Sequence, residues 1–164
     1  MIKYAAVVTA TVTNVKASPS LNSITLSWDA VKGADGYRIY IYDAVSKSYS
    51  VLVRKTAAVK YEIKNLTKGK NYAFLVRAYS KYADSYYYSR QCAKIITCTK
   101  VDKCSVLKVA QSTDAVTFTW NKVAGATGYR VFLFDTSAKT YTTLETTAGT
   151  IYRCEKLKAG KVYI

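Results

Sequence analysis

The residues of this chain best suited to chemistry are tyrosines, cations and cysteines, and their arrangement suits binding rather than catalysis. The densest group is "SKYADSYYYSRQ", residues 80–91, where Tyr82 precedes the run Tyr86, Tyr87 and Tyr88. The chain holds 16 Tyr in 164 residues. A tyrosine gives a large contact area at low entropic cost, with a hydroxyl at its tip. His is absent, which removes the commonest general base and the commonest metal ligand. There is no G-x-S-x-G, no phosphate-cradling loop and no paired-carboxylate motif. Asp35, Asp43, Asp84 and Asp135 stand at turn signals, where short carboxylates bond local backbone. The segment "KGADG" offers too few oxygens for calcium. The expectation is a non-enzyme with no cofactor and no metal.

The cysteines are Cys92, Cys98, Cys104 and Cys154. Their spacing matches no zinc finger or ribbon. Cys92 and Cys98 share one parity on one strand, too far apart along it to bond. Cys98 takes the place of Ala10 in an earlier, similar segment, which implies a small packing residue. The four are read as free thiols, with a bridge from Cys104 as the alternative.

The formal charge is +15, from 25 Lys and Arg against 10 acids. Lys outnumbers Arg and is scattered along the chain, whereas base-reading proteins rely on bidentate Arg. The charge therefore implies solubility first and attraction to a polyanion, such as an anionic cell-wall polymer, second. Nucleic acid is not expected as a partner. No apolar run approaches the roughly 20 residues of a membrane span, so no membrane insertion is expected. The opening "MIKYAAVVTATVTNVKA" is Thr-rich and β-branched, a strand rather than a signal peptide.

An internal repeat organises these residues. "WDAVKGADGYRIYIYD" at 28–43 returns as "WNKVAGATGYRVFLFD" at 120–135, an offset of 92 that drops to 91 by "LTKGKNY" at 66–72 and "LKAGKVY" at 157–163. "VVTAT" at 7–11 resembles "IITCT" at 95–99. Residues 1–12 are therefore read as the last strand of a preceding repeat, 13–100 as module one, and 101–164 as module two, ending before its last strands. Within each period the pattern alternates: "SITLSW" at 23–28, "GYRIYIYD" at 36–43 and "NYAFLVRAY" at 71–79. Period two means half-buried strands, and "KGADG" and "TKGK" are turns between them. About seven short strands in about 90 residues make a β-sandwich.

Trp28 on the second strand, "GYRIY" on the third and "Leu66-x-x-Gly69-x-x-Tyr72" together resemble a fibronectin type III module, of the kind found in tandem in bacterial cell-surface and secreted proteins. The resemblance implies an all-β chain of two tandem immunoglobulin-like sandwiches, the second lacking its last strands. It implies that the hydroxyl of Tyr72 bonds back to upstream backbone. It places "YADSYYYSR" between the sixth and seventh strands. Either Tyr82, Tyr86 and Tyr87 belong to a binding loop for protein or glycan, or Tyr87 and Tyr88 already begin the seventh strand, with one ring covering the sheet.

Strand parity adds a second surface. With Tyr37, Ile39 and Ile41 inward, Arg38, Tyr40 and Tyr42 point outward, as do Leu75, Arg77 and Tyr79; module two puts Arg130, Phe132 and Phe134 there. Such a face would stack sugars or contact a neighbour, or hold only cross-strand pairs. The expected partner is a protein or a polysaccharide. Head-to-tail self-association through the open edge of module two is a further expectation. The functional expectation is a spacer and adhesion array of a larger extracellular or cell-surface protein. The alternatives are an accessory carbohydrate-binding region of a polysaccharide-degrading enzyme, and an intracellular or phage-structural array.

Overall fold

The computed structural model describes residues 10–157. Residues 1–9, which carry most of the proposed preceding strand, and 158–164, which carry Tyr163 and the end of module two, lie outside the described residues. The chain divides into two compact units, Met1–Lys100 and Val101–Ile164. Among the described residues every regular element is a β-strand.

Unit 1 has two antiparallel sheets. One has the order β1-β2-β5, with β1 at Lys16–Pro19, β2 at Ile24–Ser27 and β5 at Lys60–Ile63. The other has the order β4-β3-β6-β7, with β3 at Gly36–Asp43, β4 at Ser48–Thr56, β6 at Asn71–Tyr82 and β7 at Ser85–Tyr88. A further strand, β8 at Ala93–Cys98, also pairs with β6. Alternation decides which side chains meet between the sheets. Ile24, Leu26, Tyr37, Ile39, Ile63, Phe74, Val76 and Ala78 are buried in one cluster with Trp28 and Val31. Val12 joins them at 2% exposure, so the boundary read after residue 12 cuts through the packing of this unit.

The seventh strand is broken. Ser89 N–H donates to Ala78 O at 2.9 Å, and pairing resumes at Val76 with Ala93. Four residues on one strand therefore oppose two on the other, a bulge that ends β7 and starts β8. Cys92 lies in this bulge, outside β8, and Cys98 is exposed. The shared parity read from sequence fails because the bulge leaves Cys92 outside β8, and the packing role fails because Cys98, opposite Asn71, falls on the exposed side of that strand.

Unit 2 repeats this plan over the described residues. β9 (Val106–Gln111), β10 (Val116–Trp120) and β13 (Ile151–Cys154) form one sheet in the order β13-β10-β9. β11 (Tyr129–Asp135) and β12 (Thr140–Thr147) form a second. The repetition reaches single bonds. Tyr37 Oη accepts from Val31 N–H at 2.7 Å, and Tyr129 Oη from Val123 N–H at 2.8 Å. Trp28 meets Tyr37 edge-on at 5.3 Å, and Trp120 meets Tyr129 at 5.5 Å. Leu66 N–H donates to Asn22 O at 2.8 Å, and Leu157 N–H to Asp114 O at 2.9 Å. Left-handed backbone recurs at Gly33 and Gly125, Lys47 and Lys139, and Asn65 and Lys156.

Candidate binding surface

The outward face of the β4-β3-β6-β7 sheet gathers most of the residues singled out by type. Cross-strand pairing sets Lys55 opposite Arg38 and Arg38 opposite Arg77. The next row sets Leu52 opposite Tyr40 and Tyr40 opposite Leu75, with Lys94 beyond it on β8. On the far side Tyr79 pairs with Tyr88, and Lys81 with Tyr86.

The tyrosine run lies on this face by alternation. β6 and β7 are joined by only two residues, Ala83 and Asp84, with Tyr82 opposite Ser85. Ser85 thus already begins the strand, and Tyr86 and Tyr88 fold back over the sheet. The Tyr86 and Tyr79 rings meet edge-on at 5.3 Å, and Tyr86 stacks with Tyr88 at 6.4 Å. Arg38 lies over both rings, 4.6 Å from Tyr86 and 4.9 Å from Tyr88. Arg77 lies 5.0 Å over Tyr88 while its Nε donates to Ser89 O at 3.0 Å. The Lys55 ammonium lies 4.1 Å over the Tyr86 ring and also donates to the Tyr86 hydroxyl. Cations over ring faces are held by the ring quadrupole.

These contacts shape the electrostatics. The Lys55 ammonium, bonded to the phenol, holds Tyr86 below the ordinary tyrosine range, with Lys81 and Arg38 adding to it. Burial pushes Tyr88 up. The Tyr40 hydroxyl, bonded to Arg38, raises the guanidinium further.

The named residues are exposed to different degrees. Tyr79 is 6% exposed, so it supports the face from beneath Tyr86 and Tyr88. Arg38, Tyr40, Arg77, Tyr86 and Tyr88 are half-buried, and Tyr42 and Lys55 are exposed. Tyr82 and Tyr87 are exposed at the hairpin, Tyr87 on the opposite side of β7 from Tyr86 and Tyr88. Sequence reasoning missed Lys55 and Tyr49, and it named Tyr88 as a strand residue rather than as part of a binding surface. Tyr49 meets Tyr42 edge-on at 5.3 Å, and Lys94 lies 5.4 Å over Tyr49. Matching the repeated residues could not find Lys55, because its counterpart in unit 2 is Thr146.

In unit 2, Phe132 is exposed and Phe134 half-buried, both against Tyr141 at 6.2 and 4.8 Å. Tyr129 and Val131 are only half-buried, whereas their counterparts Tyr37 and Ile39 are buried. A cleft of about 480 Å³ opens there, lined by Val106, Phe118, Trp120, Tyr129, Val131 and Phe132 among others. Among the described residues all four cysteines are free, and no group of His, Cys, Asp or Glu is placed to hold a metal.

Comparison with known proteins agrees with this architecture. The model of the fibronectin type III domain matches residues 10–93. A two-domain fibronectin type III segment of chicken tenascin superposes with a TM-score of 0.53 at 17% identity, covering 91% of this chain and 85% of that one. A structure described as FN3tt mut gives 0.48 at 19% identity, covering 55% and 94%. The FN5 domain of Drosophila Lar gives 0.42 at 21%, covering 57% and 98%.

Proposed function

The chain belongs to the fibronectin type III family, and from that premise we propose that it is a spacer and adhesion segment of a larger bacterial extracellular or cell-surface protein. Domains of this family are in general non-catalytic modules. The observation that carries the reading is the recurrence of one structural unit. The Tyr37–Val31 bond, the Trp28–Tyr37 pair and the left-handed turn residues all return one period later. Meanwhile the surface changes: Thr146 stands where Lys55 does, and Phe132 and Phe134 where Tyr40 and Tyr42 do. A skeleton repeated under a changing surface suits a part that sets distance and presents contacts.

On this reading residues 13–100 and 101–164 belong to successive modules. Among the described residues no helix is long and apolar enough to cross a membrane. The aromatic and cationic outer face of unit 1 also favours a second reading, an accessory carbohydrate-binding region beside an enzyme domain.

Stretching the chain between two handles tests the spacing role. Unit 1 should resist extension, give way in one discrete event and refold on release. Extension of unit 1 at low force without such an event overturns the reading. So does reproducible turnover of a polysaccharide or ester that a single substitution in this chain abolishes.

A further inference from the structure

We propose that the outer face of the β4-β3-β6-β7 sheet of unit 1 is a docking site for an acidic polysaccharide, seated across the cation row Lys55–Arg38–Arg77. The proposal rests on the reading of the chain as a non-catalytic adhesion module and adds the surface and the partner class.

The row is electrostatically unbalanced. Lys55, Arg38 and Arg77 sit directly opposite one another on three adjacent strands, and like charges so placed repel. Lys81 and Lys94 add two more cations on the same face. Strands β4, β6, β7 and β8 contain no Asp or Glu at all. β3 contains only Asp43, whose carboxylate accepts from the backbone N–H groups of Val45 and Ser46 at 3.1 and 3.2 Å. The tyrosine rings lie among the cations but bring no carboxylate. Asp35, whose carboxylate accepts from Lys81 N–H at 2.6 Å, and Asp84 in the β6–β7 turn stand at the rim. Among the described residues no cation of the row pairs with a carboxylate, so the face keeps a net positive field that a polyanion would complete.

The rings select among polyanions. Single-stranded nucleic acid binds basic faces by stacking bases on free aromatic faces. Here the Tyr86 and Tyr88 rings already carry Arg38, Lys55 and Arg77, and Tyr79 is buried beneath them. The same engagement leaves no aromatic anchor in the row free to fill a desolvated pocket on a protein partner. What the face does offer is spaced positive charge and phenol hydroxyls, the complement of a chain of hydroxylated rings bearing carboxylate or sulfate groups.

Retention by the whole chain is measured at low salt on polygalacturonate, dextran sulfate, neutral dextran, oligo-dT and polyglutamate. The two acidic polysaccharides should bind tightest, with neutral dextran not retained. Lys55→Gln/Lys94→Gln should weaken their binding about tenfold with unchanged thermal melting, and adding Arg77→Gln should weaken it further. The charge-matched control Lys16→Gln/Lys60→Gln, on the opposite sheet, should change it less than twofold. The proposal is overturned if the control weakens binding as much as the row variants, if oligo-dT or polyglutamate binds tighter than both polysaccharides, or if neither polysaccharide is retained. None of these outcomes touches the stretching experiment, so the spacing role stands or falls separately.

Discussion

Tyr37 and Tyr72 make the same kind of bond in different surroundings, and the surroundings set what each is worth. Tyr37 Oη accepts from Val31 N–H at 2.7 Å inside the core, while Tyr72 Oη accepts from Thr67 N–H at 2.8 Å where water reaches it. Tyr37→Phe leaves a buried amide without an acceptor and should cost about 1–3 kcal/mol; Tyr72→Phe should cost about 0.5–1.5 kcal/mol, since water can replace the phenol. Trp28→Ala should exceed both, at about 3–5 kcal/mol, by opening a cavity beside Tyr37. Urea unfolding followed by circular dichroism gives the order; a larger loss at Tyr72 than at Tyr37 would reverse the argument. The corner bond of Tyr72 was legible in Leu66-x-x-Gly69-x-x-Tyr72. The deeper bond of Tyr37 was not, because neither spacing nor parity says where an inward hydroxyl finds a donor.

At the level of elements, the turns carry testable strain and charge. Ala83 opens the two-residue β6–β7 turn with φ of +50°, a conformation that costs an L-residue about 1–2 kcal/mol. Ala83→Gly relieves that cost and loosens the unfolded chain, so thermal melting should show a net gain of up to about 1 kcal/mol. Asp43 is held below the ordinary carboxylate range by the Ser46 hydroxyl and the Val45 and Ser46 amides, and Asp135 by the amides of Ala138 and Ser137. A carboxyl depressed in the folded state stabilises above its unfolded value and loses that contribution as pH falls through the depressed one. The melting temperature should therefore drop as pH falls below about 4, and Asp43→Asn should flatten part of that drop. Strand existence and facing were legible: the alternation of "GYRIYIYD" put Ile39 inside and Arg38 outside, as observed. The break at Ser89–Cys92 was not, because a bulge depends on the partner strand. Nor was the burial of Tyr79, whose outward parity is overridden by Tyr86 and Tyr88 closing over it.

At the scale of the whole molecule, the two units share a skeleton and differ in how well it is covered. Tyr129 and Val131 are half-buried where Tyr37 and Ile39 are buried, and β9 is exposed along its length. Local stability follows burial of this kind, so amides in 115–154 should exchange faster than those in 23–79 in a dilute sample; equal protection would refute this. The placement of the two tryptophans makes the difference visible to light. The chain has two Trp, one in each unit, each nearly buried and edge-on to a tyrosine. Each unit thus contains its own emitter, with a neighbouring phenol to feed it excitation. On heating, the emission should shift to the red in two steps, Trp120 first and Trp28 second. Trp120→Phe should remove the first step, leaving a chain whose glow reports on unit 1 alone.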